Sequence, residues 1–184
     1  MFKLPFFHPR KDSDSSQADE ANKLTLILGL GNPGEQYEHT YHNAGHLYID
    51  SVTDGTLKKY KSFAFTKEGN MILAKSLTYM NKSGLAALEA LKYFNLKPTS
   101  LLVAHDDSDI PLGEHKVSKG QGSAGHKGVQ SIIDQLGTKD FTRLRIGVRS
   151  QPRGKAGEFV LKPMSRQELE LLRDGFAKIN PPEN

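Results

Sequence analysis

The 184-residue sequence contains no cysteine. This absence excludes a disulfide framework and any site that uses a thiolate as nucleophile, redox group or zinc ligand. No apolar run approaches the ~18 residues that a membrane-spanning helix needs, so we expect no membrane association. Hydrophobic residues make up 36% and charged residues 25% of the chain, which is typical of a folded, soluble protein.

The charge balance is only weakly informative. The chain has 25 Lys and Arg against 21 Asp and Glu, a formal net charge of +4. A basic balance of this size mildly favours polyanionic partners, yet many basic proteins bind no nucleic acid. The charge alone therefore identifies no partner.

The first 22 residues differ in composition from the rest. MFKLPFFHPRK is apolar and basic, but its prolines interrupt it and it lacks the apolar core of a secretory signal. DSDSSQADE is acidic and Ser-rich, a composition typical of disorder. We expect a flexible tail over residues 1–22, with a partner-binding motif around Phe6 and Phe7 as the alternative, one domain over 23–184, and a cytoplasmic location.

Strand and helix patterns alternate over the remaining chain. Short apolar or alternating segments predict strands at Leu24–Leu30, Phe63–Lys67, Met71–Leu77, Leu101–His105, Glu114–Ser118 and Arg143–Val148. Helical spacing predicts helices at about His42–Val52, at Asn81–Phe94, from the glycine loop Gly120–Gly128 to Leu136, and after the capping box Ser165–Glu168. This alternation favours a three-layer α/β/α domain, with helices on both faces of one sheet.

The motif GLGNPG, Gly29–Gly34, matches the G-x-G-x-x-G pattern of dinucleotide-binding turns. In those folds a helix opens inside the motif, and its N-terminal amides meet the pyrophosphate. Here Glu35–Tyr41 has no apolar helical stripe, and the second strand ending in an acidic residue roughly 20 residues further on is missing, so the context argues against a dinucleotide site. The turn instead places Asn32 at the carboxyl end of a strand. Its amide could hold a water or a carbonyl oxygen, or simply support the turn.

A histidine and a carboxylate are predicted near the same edge of the sheet. His42 begins a predicted helix, and Asp106 follows a predicted strand. A carboxylate there can hold an imidazole in one tautomer and favour its charged form as it takes a proton. The alternative is a solvated acidic loop containing Asp106, Asp107 and Asp109.

Two other kinds of site have weaker support. His42 and His46 stand at i, i+4 with Asp50 one turn further, but the general-base Glu of the zincin motif is absent and Gly45 weakens the helix. Ser123 in GQGSAG is the serine candidate, but Gln121 stands where a nucleophile elbow needs glycine.

The glycine loop has a different potential use. Its amides, with His126 and Lys127, could meet phosphate. Basic residues beside such a loop favour contact with RNA, although a run of charged residues usually forms only a solvent-exposed face. These basic residues are Lys116, Lys119, Lys127, Arg143 and Arg145.

Five motifs together resemble those of the bacterial-type peptidyl-tRNA hydrolase family. They are GLGNPGEQYEHTYHNAG, SLTYMNKSG, LLVAHDDSDIPLG, GQGSAGHKGVQSII and FTRLRIGV, and the similarity runs from about Leu24 to Lys162. The resemblance implies a monomeric α/β domain with a mixed central sheet and no metal or cofactor. It implies an esterase that cleaves the bond between a peptide and the tRNA 3′-terminal ribose, which releases tRNA for reuse in translation.

The resemblance also implies roles for individual residues. His42 would be the general base, Asp106 would orient it, and Asn32 would position the substrate. Arg145 would meet the terminal phosphate of the acceptor stem. The residues expected to line the site for the peptide and the tRNA 3′ end are Tyr37, Tyr79, Met80 and Asn81.

The sequence departs from the family pattern in several places. Lys127 replaces the usual Asn, which removes an amide but adds a charge that could hold a phosphate. Tyr41 replaces an Arg, and Ser118 a Lys, which puts RNA contacts in doubt. The last predicted helix is short for the family. A catalytically silent RNA-binding relative is the main alternative, but such a protein would have no need to keep both His42 and Asp106.

Overall fold

The computed structural model describes residues 25–54, 56–150 and 159–179. The predicted tail over residues 1–22 lies outside the described residues. Within the described ranges, a seven-stranded sheet is covered by helices, and none of these helices is long and apolar enough to cross a membrane.

The described residues form seven strands and four α-helices. The strands are β1 (Thr25–Gly29), β2 (Lys58–Tyr60), β3 (Phe63–Glu68), β4 (Met71–Ser76), β5 (Leu101–Pro111), β6 (His115–Lys119) and β7 (Thr142–Arg149). The helices are α1 (Ala44–Ser51), α2 (Ser83–Tyr93), α3 (Lys127–Leu136) and α4 (Arg166–Phe176).

The strand order is β2-β3-β4-β1-β5-β7-β6. Strands β4, β1, β5 and β7 are parallel, whereas β2, β3 and β6 join by antiparallel pairing. The mixed sheet expected from the family resemblance is therefore confirmed.

The central strand β1 is buried on both faces, as its continuous apolar run predicts. Leu26 and Leu28 join the hydrophobic cluster that contains residues of α2 and α3. Ile27 joins the cluster on the opposite face with residues of α1 and α4. The three-layer α/β/α prediction is therefore confirmed.

The glycines after β1 allow close packing rather than nucleotide binding. Only a 3-10 turn, Glu35–Tyr37, directly follows the motif, and α1 begins later. A side chain at Gly29 would overlap the carbonyl oxygen of Gly45, and a Cβ at Gly31 would lie 2.6 Å from the His46 ring. Gly34 has φ 110°, which favours glycine. The glycines thus bring α1 against the end of β1.

Two strand predictions need correction. We expected β5 to end at His105, but it continues to Pro111: its backbone pairs with β7 as far as Asp107 and again, after a register shift, at Pro111. Its pairing with β1 ends at Ala104, so the next residues of β5 border an opening in the sheet. The edge strand β2 was not predicted, because its short, exposed sequence KKY has no apolar alternation.

Candidate active site

A cleft of about 500 Å³ lies at the carboxyl ends of β1 and β5. This is where open α/β sheets place their ligands. Most of the predicted site residues line it: Asn32, His42, Tyr79, Met80, Asn81, Asp106 and Lys127.

Asn32 connects two walls of the cleft. Its backbone N–H donates to Asn43 Oδ1 at 2.8 Å, and Asn43 Nδ2 donates to the carbonyl oxygen of Asn32 at 3.0 Å. Its side-chain Oδ1 accepts the backbone N–H of Met80 at 2.8 Å. Asn43 therefore supports the turn, and the Asn32 side chain is oriented by Met80. Its Nδ2 group donates to no other described residue and remains for a ligand in the cleft.

His42 and Asp106 are in direct contact, as predicted. His42 lies in the 3-10 turn Tyr41–Asn43, and its Nδ1 is 2.8 Å from Oδ1 of the buried Asp106. Because an ionised carboxylate only accepts, Nδ1–H must donate in this bond. The lone pair then lies on His42 Nε2, which bonds to no other described residue.

His126 is a second partner of the same carboxylate. It is the N-cap of α3, and its Nδ1 accepts the backbone N–H groups of Gly128 at 3.1 Å and Val129 at 3.2 Å. A nitrogen that accepts two N–H groups carries no proton, so the proton of His126 is on Nε2. Nε2–H donates to Asp106 Oδ1 at 2.9 Å. We expected His126 to meet phosphate and missed this contact, because no local pattern predicts it.

The histidines keep Asp106 ionised. Burial alone would raise the pKa of this carboxyl, but the field and hydrogen bond of His126, together with those of His42, lower the pKa well below its usual value. The neighbouring His105 donates Nδ1–H to the Asp106 carbonyl oxygen at 2.7 Å. Burial lowers the pKa of His105 to about 3, so the ring is neutral at pH 7.

The donor atoms of His42, Asp106 and His126 lie within 4.8 Å of one another, which is close enough to consider a metal site. Their hydrogen bonds do not suit one. A metal at His126 Nε2 would displace the proton that this tautomer carries, and moving the proton to Nδ1 would remove the cap of α3. The other metal site considered from the sequence used His42, His46 and Asp50. Asp50 instead forms an ion pair with Lys75. The cluster fits a chain of hydrogen bonds better than a metal.

Some predicted residues lie outside the cleft lining. Tyr37 is half-buried in the 3-10 turn after the glycine motif. Arg145, on β7, donates Nε–H to Asp107 Oδ2 at 2.7 Å.

Ser123, the serine candidate, lines the cleft, but its hydroxyl donates to Gln130 Oε1 at 2.7 Å rather than to a histidine.

The rim of the cleft combines apolar surface with a cation. Tyr79 is 54% and Leu161 50% exposed, and both line the cleft. Lys127, the first residue of α3, is exposed and forms no ion pair with any residue in the described ranges. The cleft can therefore accept a ligand with both an apolar and an anionic part.

Comparison with known proteins agrees with this geometry. A sequence model of the family described as peptidyl-tRNA hydrolase matches residues 26–180. The peptidyl-tRNA hydrolase of Thermodesulfovibrio yellowstonii is 42% identical over 164 residues, covering 84% of this chain and 88% of the relative. That of Aquifex aeolicus is 39% identical over 166 residues, covering 84% and 85%.

A solved structure gives the same result for the fold. The crystal structure of the peptidyl-tRNA hydrolase from Acinetobacter baumannii superposes with a TM-score of 0.75 at 30% identity, over 85% of this chain and 84% of that one. The match in sequence spans β1 to α4, including every segment that contributes His42, Asp106 and His126. The chain belongs to the peptidyl-tRNA hydrolase family.

Proposed function

We propose that this chain hydrolyses the ester bond of peptidyl-tRNA with His42 as the general base. The family supports the substrate and the reaction. The contact between His42 Nδ1 and Asp106 at 2.8 Å carries the assignment of the base, because it leaves the lone pair of Nε2 for a water in the cleft. A positioned base of this kind contributes roughly 10²–10⁴-fold to the rate.

The reaction follows from these contacts. His42 Nε2 takes a proton from water as the oxygen attacks the ester carbonyl, and Asp106 stabilises the resulting imidazolium. The tetrahedral intermediate collapses, and the 3′-ribose oxygen leaves with the proton from His42. The free Nδ2–H of Asn32 donates to the substrate carbonyl and orients it. Because an ester is already activated, this set of groups needs no further electrophile.

The remaining site residues have binding roles in this proposal. Tyr79, Met80 and Asn81 form one wall for the peptide and the terminal nucleotide. Lys127 pairs with a phosphate. Arg145 uses the guanidinium donors not bonded to Asp107 to contact the acceptor stem, and Tyr37 contacts substrate beyond the cleft.

The proposal also includes a monomer that works in the cytoplasm without a metal or cofactor. One chain supplies every group named above, so a second copy is not needed for the chemistry. The tautomer of His126 supports the metal-free reading. Light scattering of the purified protein tests the oligomeric state.

The decisive experiment measures release of a blocked amino acid from N-acetyl-aminoacyl-tRNA, alongside unblocked aminoacyl-tRNA, in excess chelator. We expect cleavage of the blocked ester alone. His42→Ala should lose hydrolysis and retain tRNA binding, whereas His39→Ala, at an exposed site on the same stretch, should behave like wild type. Tight binding without cleavage by the wild type would identify a binding relative, and loss of activity with chelator would indicate a metal hydrolase.

A further inference from the structure

The residue before His42 faces away from the cleft. Tyr41 is 7% exposed and belongs to the cluster of the α1 and α4 face. Its ring packs edge-on against Phe159, with centroids 5.3 Å apart. Its hydroxyl donates to Glu168 Oε1 at 2.6 Å, a short, charge-assisted hydrogen bond. The turn that carries His42 is thus attached to α4.

Glu168 has a second set of partners. Its Oε2 accepts the backbone N–H and the hydroxyl of Ser165, each at 2.8 Å, which completes the capping box of α4. Burial alone would raise the pKa of this carboxyl, but the Tyr41 hydroxyl and the Ser165 groups lower the pKa to about 2. The carboxylate is therefore charged at neutral pH, and its two oxygens join the start of α4 to Tyr41.

The chain leading into α4 also lies along the His42 turn. The backbone N–H of His42 donates to the carbonyl oxygen of Val160 at 2.8 Å. The backbone N–H of Met164 donates to the carbonyl oxygen of His39, also at 2.8 Å. Val160 and Leu161 of this segment line the cleft. One wall of the cleft and the base are therefore supported by the same stretch of backbone.

We propose that Tyr41 and Glu168 form a positioning pair that sets the orientation of His42 and the adjacent cleft wall relative to Asp106. The proposal rests on the proposed function, because His42 is positioned for that reaction. Loss of the pair leaves the apolar packing of the Tyr41 ring and the backbone hydrogen bonds of the turn in place, but it removes the side-chain link between the turn and α4. Small misplacements of a base cost rate rather than substrate affinity.

The test compares Tyr41→Phe and Glu168→Gln with two matched controls. Tyr48→Phe removes a hydroxyl from another buried tyrosine of the same cluster, whose ring contacts Phe176. Glu170→Gln changes an exposed carboxylate of α4 that pairs with Arg166. Gln at position 168 can still close a capping box, so α4 should remain capped.

We expect kcat to fall roughly tenfold in Tyr41→Phe and in Glu168→Gln, with KM unchanged. The double variant should lose no more than Tyr41→Phe, which removes the contact with Glu168 and also the longer one between the Tyr41 hydroxyl and Ser150 Oγ at 3.4 Å. The Nδ1–H resonance of His42 in the proton NMR spectrum should shift in both variants. The controls should change neither kcat nor this resonance.

Each possible result separates the two proposals. If wild type cleaves, His42→Ala does not, and Tyr41→Phe matches Tyr48→Phe in kcat and in the resonance, the positioning pair alone is wrong. If Tyr41→Phe and Glu168→Gln lose the same amount of thermal stability but keep a normal kcat, the positioning pair is also wrong, because the contact then has a structural role only. If wild type does not cleave, the proposed function is wrong, and the His42 resonance still decides whether the pair orients the ring.

Discussion

The Nε2 atom of His126 lies 2.9 Å from Oδ1 of Asp106, and the start of α3 fixes the direction of that hydrogen bond. Two backbone N–H groups occupy Nδ1 of His126, so the ring can only donate to the carboxylate. Asp106 thereby receives one donor from a helix cap and another from His42. The folding of α3 and the orientation of the base depend on the same imidazole.

His126→Asn and His126→Ala separate these two roles. Asn can cap α3 with its side-chain oxygen but is too short to repeat the contact with Asp106, whereas Ala does neither. We expect both variants to lose roughly ten- to a hundredfold in kcat, because each removes a hydrogen bond to a charged group. The Ala variant should also unfold with about 1 kcal/mol less free energy, measured by urea denaturation.

The pH profile provides an internal check on these variants. The pKa of Asp106 is lowered by His126, so loss of the imidazole raises it. The carboxylate must be ionised to hold the His42 tautomer, so kcat of the variants relative to wild type should fall further as the pH is lowered. A ratio of variant to wild-type kcat that stays constant down to acidic pH would contradict the role given to His126.

Asp106→Asn tests the carboxylate itself. The amide keeps one acceptor oxygen but loses the charge that stabilises the protonated imidazole. We expect kcat to fall roughly 10²–10⁴-fold, with tRNA affinity retained. Asp174→Asn, an exposed change on α4, is the control for the charge. A loss below about fivefold would mean that the charge is not needed for the step that limits kcat.

Local patterns were sufficient to predict the order of the main elements. β1 is a continuous apolar run, α3 and α4 have strong hydrophobic periodicity, and Gly137 ends α3 in the left-handed conformation that its residue type favours. The extension of β5 could not be predicted this way, because Asp106 and its neighbours look like a polar loop. Pairing with β7 decides their conformation.

The site was predictable only in part, for a similar reason. The family motifs indicate His42 and Asp106, and the sheet topology brings them together. The contacts of His126 with Asp106, and of Tyr41 with Glu168, join distant segments through single side-chain atoms. No periodicity or spacing encodes such contacts, so they require the packed structure.

Buried histidines should make stability depend on pH. Burial lowers the pKa of His46 and of His105 from 6.5 to about 3. In the unfolded chain each ring takes up a proton near pH 6.5, while the folded protein does not until about pH 3. The free energy of unfolding should therefore fall as the pH is lowered through this window, by about 1.4 kcal/mol per pH unit for each histidine.

The measurement is urea denaturation between pH 6.5 and 5, above the range in which Asp106 and Glu168 begin to add their own losses. His46→Leu should reduce the average slope over this range by about 1 kcal/mol per pH unit, because the unfolded ring is only half protonated at pH 6.5, whatever its effect on stability at pH 7. His39→Leu, at an exposed site, should leave the slope unchanged. Parallel slopes for wild type and His46→Leu would show that His46 is accessible to protons in the folded state.

Gly45→Ala tests the close packing of α1 beside the site. Alanine favours helices over glycine by about 1 kcal/mol, but the new Cβ would overlap the carbonyl oxygen of Ala104 and lie 2.5 Å from the Leu30 nitrogen. Backbone atoms cannot rotate away, so the overlap outweighs the helix preference, and we expect a net loss of about 1–3 kcal/mol. Calorimetry measures the stability of the variant. Gly122→Ala is the control, because a Cβ added there would have no heavy atom within 4 Å. Because α1 follows the His42 turn directly, kcat should fall as well, and a more stable Gly45→Ala variant would mean that α1 and β5 can separate freely.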